Sequence, residues 1–205
     1  MEKWTRFLYQ PCLPLGEDGR RITGSREHIA LSKQAATEGM VLVKNQKGAL
    51  PLAKGEKIAV FGKGCADYVK GGGGSGDVTV AYVRNLLDGL RIKEQEGKVK
   101  LFADLGDFYE AEVQKQYSQG ILPGMTSEPE LPEALLEEAA AFASTAIVSI
   151  CRFSGENWDR TIVNEEQDRE ALKFQTQELA LIQRASQVFE KGDFYLSKAE
   201  EKLLE

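Results

Sequence analysis

The residues best suited to chemistry lie together in Ser154-Gly-Glu-Asn-Trp-Asp-Arg160, which holds two carboxylates, an indole and a guanidinium within seven positions. A protonated Glu156 beside Trp158 is suited to cleaving a glycosidic bond. The acid gives its proton to the leaving oxygen, and the aromatic plane supports the apolar face of a sugar. Glu156 would need its pKa raised, by burial against Trp158 or by a second carboxylate nearby. Composition by itself favours a plainer reading, an acidic surface loop in which Asp159 pairs with Arg160 and Trp158 fills a gap.

The element that must position this loop is the apolar, β-branched run Ala146–Cys151, which reads as a buried strand emptying into it. Ligands in α/β sheets gather outside the carboxyl ends of strands, so the loop stands at a natural site. A second strand, Lys57-Ile-Ala-Val-Phe-Gly62, leads to the glycine-rich Lys70-Gly-Gly-Gly-Gly-Ser-Gly-Asp77. These glycines fit neither the GxxxxGK[ST] phosphate loop nor GxGxxG, and Lys70 precedes them. Phosphate cradling, a flexible linker and a close-approach loop lining the pocket of Glu156 all remain open, the last fitting best between a strand and a helix.

The other elements follow in the order of a parallel α/β sheet. Ser25 caps a helix carrying Ile29, Leu31, Ala35, Ala36 and Met40. Helical spacing runs from Val78 to about Leu90, and Lys98–Phe102 reads as a strand. Helices are expected over Phe108–Tyr117, closed by Gly120, and over Glu133–Ala143, beyond a Pro-rich passage at 122–132. A last apolar stripe, Leu172 to Phe189, suggests a helix ending near Lys191-Gly192, and Ser197 with Glu200 fits a capping box. Only three firm strands emerge. The expected architecture is thus a mostly parallel three-layer α/β sandwich that is truncated at its C-terminus, with residues 1–25 as an irregular lead-in and 26–205 as the sandwich domain.

Bulk properties narrow the function classes. Among 205 residues, 42% are hydrophobic and 28% charged, and the net charge is −6. An acidic chain argues against nucleic acid and anionic membranes as partners, since phosphate binding needs a basic face. No apolar run reaches the ~20 residues of a membrane-spanning helix. Cys12, Cys65 and Cys151 are odd in number and far apart, which points to reduced thiols and a cytoplasmic setting. The lone His28 reads as a helix-surface residue, leaving no basis for a histidine triad or metal cluster.

Three separated stretches, in order, resemble the α/β sandwich domain of family 3 glycoside hydrolases, a group that includes many β-glucosidases. They are Ala35–Asn45 with Leu50-Pro-Leu52 and Lys57–Gly62, then Gly71–Val78, then Ser154–Arg160 with Lys191–Ser197 further on. The third is similar to the family's S-G-E-G-x-D-R loop, with Asn157 in place of the glycine. The resemblance implies a retaining β-glycosidase in which Glu156 is the general acid/base. Trp158, Asp159, Arg160, Lys70, Gly73 and Ser75 would contact a β-glucoside, and no cofactor or metal is called for. It places the nucleophile, an aspartate, on a separate (β/α)₈ barrel domain of the same polypeptide, and 205 residues cannot hold a ~250-residue barrel as well. A sandwich at the N-terminus resembles the subgroup whose domain order is inverted, with the barrel second. The other reading is a non-catalytic sugar-binding or relic domain of the same fold.

Overall fold

Ile58 to Phe61, four consecutive buried residues, form the centre of a parallel sheet. The computed structural model describes residues 24–42, 45, 48, 50–69, 82–151, 175–189 and 191–193. Strand β1 (Glu56–Phe61) pairs on one side with β2 (Val99–Leu101) and on the other with β3 (Thr145–Val148), which in turn pairs with β4 (Lys191–Asp193). All three pairings are parallel and the order is β2-β1-β3-β4. Register is fixed by pairs such as Ile58 with Leu101 and Phe61 with Val148. Strand β3 is buried at every position, as expected of a parallel strand covered on both faces.

Residues 1–44 and 45–205 form two compact units. In the first, helix α1 (Arg26–Glu38) starts where the Ser25 hydroxyl accepts from the His28 amide at 3.3 Å and ends at Gly39. None of its residues is buried, and His28 is exposed as its sequence context suggests.

Among its described residues the second unit contains the sheet and four α-helices: α2 (Leu86–Gln95), α3 (Ala103–Ser118), α4 (Glu133–Phe142) and α5 (Thr176–Val188). Arg91 of α2 makes a forked ion pair with Glu110 of α3, at 2.6 and 2.9 Å, and Gly106 of α3 lets Leu87 approach. Helices α4 and α5 meet where Arg184 bonds Glu133 at 2.5 Å and the Leu131 carbonyl at 2.9 Å. The crossover from β1 to β2 and those from β2 to β3 and β3 to β4 run in opposite directions along the sheet. Right-handed connections therefore place helices on both of its faces, giving the expected α/β sandwich.

Several boundaries differ from the sequence expectation, β3 ending at Val148 rather than Cys151 and α2 running on to Gln95 among them. Helix α2 begins at Leu86, because Asn85 and Asp88 form a reciprocal capping box, at 2.8 and 3.1 Å, that stops the helix extending backwards. Helix α3 starts at Ala103 rather than Phe108 and buries Leu105 and Tyr109 from its first turns. Helix α5 ends at Val188, and Lys191–Asp193 is a fourth strand instead of its last turn. Phe189 turns extended, is buried, and packs edge-on against Phe61 of β1 with ring centroids 5.5 Å apart. That contact stops the helix and delivers the chain to the sheet.

Candidate active site

From β1 the chain moves to one side of the sheet and from β3 to the other, so the carboxyl ends of these neighbours flank a topological switch point. The residues that leave the sheet here are Gly62, the 3₁₀ turn Lys63–Cys65, and Ser149 to Cys151. The two segments touch backbone to backbone. The Ser149 amide donates to the Phe61 carbonyl at 2.7 Å. A Cβ on Gly62, whose φ is +88°, would stand 2.4 Å from the Ser149 carbonyl oxygen, and one on Gly64 would stand 2.7 Å from it. Only glycine fits either place.

Beneath this junction lies a buried polar cluster. The Asp67 carboxylate, with no exposed surface, accepts from Tyr117 Oη at 2.5 Å, from the Gly124 amide at 2.7 Å and from Thr126 Oγ1. Lys63 Nζ donates to the Thr126 carbonyl and stands 3.7 Å from Asp67 Oδ2. The Lys63 amide donates to Glu128 Oε2 at 2.9 Å. These bonds fasten the segment 121–128, which precedes α4, onto the turn that follows β1. Cys151, at the end of the β3 segment, joins them through a 3.6 Å contact from its thiol to the Asp67 carbonyl.

Burial and charge act differently on the two acids. Burial alone would raise Asp67, but the hydrogen bonds from Thr126, Tyr117 and Gly124, with the Lys63 charge, outweigh it and hold the carboxyl below the usual range. Glu128 is pushed up to about 7, chiefly by burial, with the Glu178 carboxylate of α5 adding to the shift and the Lys63 amide opposing it. Burial also raises Tyr109, which is fully enclosed, and the Cys65 thiol, which makes Cys65 inert. Cys65 is a free thiol, and Cys12 lies outside the described residues. Among the described residues no group of three or more His, Cys, Asp or Glu is placed to hold a metal ion. The cluster is a scaffold, with no reactive nucleophile of its own.

Every site residue expected from sequence lies outside the described residues: Glu156, Trp158, Asp159 and Arg160 of the carboxylate loop, and Lys70, Gly73 and Ser75 of the glycine loop. Along the chain, Lys70 directly follows Val69 on the β1 side, and Glu156 comes five positions after Cys151 on the β3 side. Both loops thus spring from the strands that flank the switch point. Sequence reasoning missed Lys63, Asp67, Thr126 and Glu128. The paired glycines around Lys63 were the available signal for the first, whereas Thr126 and Glu128 sit in the Pro-rich passage and look like ordinary polar loop residues.

A parallel sheet with a switch point between β1 and β3, and a buried polar cluster beside it, defines a domain of the α/β class. The sequence model of the glycosyl hydrolase family 3 C-terminal domain matches residues 40–192, and the chain belongs to that family. It is 51% identical over 204 residues to β-glucosidase A of Butyrivibrio fibrisolvens, covering 100% of this chain and 24% of that protein. It is 36% identical over 141 residues to a β-glucosidase of Ruminococcus albus, covering 66% of this chain and 14% of that one. Among solved structures it resembles a β-glucosidase from Paenibacillus barengoltzii, with a TM-score of 0.69 and 29% identity over 82% of this chain and 18% of the other. It also resembles β-glucosidase 3B from Thermotoga neapolitana in complex with glucose, with a TM-score of 0.65 and 31% identity over 83% of this chain and 24% of the other. The chain spans about a quarter or less of the length of these relatives.

Proposed function

We propose that this chain is the acid/base-bearing sandwich portion of a retaining β-glucosidase, with Glu156 as the general acid/base. The observation that carries the reading is the origin of the Glu156 loop. Cys151, five positions before Glu156, closes the β3 segment beside the glycine-locked end of β1, at a switch point of the kind where α/β sheets present ligand sites. Family membership supports the reaction class. Glu156 gives its proton to the glycosidic oxygen while an aspartate of a (β/α)₈ barrel attacks the anomeric carbon. The aglycone leaves as an alcohol, and Glu156, now a carboxylate, takes a proton from the water that hydrolyses the glycosyl-enzyme. Trp158 lies against the sugar, and Asp159, Arg160, Lys70, Gly73 and Ser75 supply polar and close backbone contacts. The barrel follows this domain on one polypeptide, and the enzyme works in the cytoplasm.

The test uses the continuous reading frame with its barrel. Glu156→Gln lowers kcat/KM on cellobiose about 10³-fold, whereas an aryl β-glucoside with a strongly acidic phenol loses far less in the glycosylation step, because its leaving group needs no proton. Equal losses on both substrates would remove Glu156 from the acid role.

A further inference from the structure

Glu128 occupies a place the proposed chemistry does not use. It is buried where three elements converge on the end of β1. Its Oε2 holds the Lys63 amide at 2.9 Å, while neither Oε1 nor the enclosed Tyr109 hydroxyl has a hydrogen bond of normal geometry. Charged and titratable groups face it from each side. Lys63 and Cys65 lie on the turn after β1, with Asp67 paired to Lys63, Tyr109 lies on α3, and Glu178 lies on α5. Burial and Glu178 disfavour an ionised Glu128, while the Lys63 amide, the Lys63 charge and the Tyr109 hydroxyl favour it, and burial outweighs them. Lys63 is already committed to Asp67 and to the Thr126 carbonyl.

We infer that Glu128 is a protonation-dependent positioning residue, a clamp that in its neutral form holds the 121–128 segment against the Gly62–Asp67 turn and stiffens the end of β1 at the switch point. In the clamped state its carboxyl is raised to about 7 by burial and by Glu178, against an ordinary value of 4.5 when the segment lifts and water reaches it. A group raised in the closed state favours closure fully below its open-state value, and loses that preference as pH rises towards its closed-state value. The clamp is therefore tight below about pH 4.5, slackens by up to about tenfold per pH unit above that, and changes no further beyond about pH 7. Asp67 works with the opposite sign, since it is held low and its contribution fades only in acid. The two acids together tie the same loop at opposite ends of the pH scale.

This inference rests on the proposed function only in giving the switch point a use, and its test involves no hydrolysis. The measurement is hydrogen exchange of the Lys63 amide in the 205-residue chain, expressed as protection relative to the unstructured rate so that ordinary base catalysis cancels. From pH 5 to pH 7.5 protection falls at least tenfold in the wild type and stays within about threefold in Glu128→Gln. A wild-type profile as flat as that of the variant overturns the clamp. A second measurement needs no substitution. The side-chain carboxyl carbon of Glu128, followed by NMR, titrates with a midpoint above 6, and a midpoint below about 5 overturns the inference. Failure here leaves the role of Glu156 untouched, and failure of the acid/base role leaves the clamp measurable.

Discussion

Asp67 shows how a single buried carboxylate can be stable and indispensable together. Its charge is compensated by three hydrogen-bond donors and the Lys63 ammonium, so the charged form is the one the fold selects. Asp67→Ala strands that ammonium and leaves the Thr126 and Tyr117 hydroxyls without their acceptor. A loss of about 3–5 kcal/mol in unfolding free energy is expected, read by urea denaturation at pH 7. Asp67→Asn keeps the shape but presents an amide N–H₂ where an acceptor is needed, and costs less than the alanine. A loss below 1 kcal/mol for the alanine variant would show that the cluster rearranges around the gap. Because the Asp67 carboxyl is held low, its stabilisation is present above its unfolded pKa of 3.8 and is lost as pH falls below that.

Among the elements, α2 links the sheet's edge to the candidate site. Its cap residue Asn85 closes the box with Asp88 and also reaches the Ala66 carbonyl, at 3.4 Å, just after the turn that follows β1. Asn85→Ala should cost about 1 kcal/mol in thermal or urea unfolding, and Asn85→Asp should recover most of it, because aspartate keeps the capping acceptor. An aspartate variant as weak as the alanine would move the energy to the Ala66 bond. This cap also explains why sequence periodicity overran the start of the helix. Val80, Val83, Leu86 and Leu90 keep helical spacing across the true boundary, and only the Asn85–Asp88 pair marks where the backbone turns. Strands β1 and β3 were readable because each is a continuous apolar, β-branched run, the pattern of a strand buried on both faces. Strand β4 was not readable, since Lys191-Gly192-Asp193 has no strand-forming residue and is extended through its pairing with β3. The same distinction governs the site. Glu156 stands out by local pattern and family resemblance, whereas Glu128 acquires its properties from contacts 65 positions away in the chain, with Lys63.

At the scale of the whole molecule, the number of carboxylates at the site decides what this chain can do alone. Retaining hydrolysis needs an acid/base and a nucleophile about 5–5.5 Å apart across the anomeric carbon. In the function proposed above, the carboxylate loop supplies Glu156 as the acid/base, and Asp159 binds the sugar. The acids near the switch point that the structure describes, Asp67 and Glu128, are buried beneath it and already engaged in holding loops together. The proposed function therefore draws its nucleophile from sequence beyond this domain, and the relatives it matches are at least about four times as long. The purified 205-residue chain should therefore show no turnover of aryl β-glucosides above the uncatalysed rate. The continuous polypeptide with its barrel should hydrolyse them with retention of anomeric configuration, followed by NMR of the first-formed sugar. Turnover by the isolated chain that Glu156→Gln abolishes would place the nucleophile within these residues, and Asp159 would then be the first carboxylate to replace.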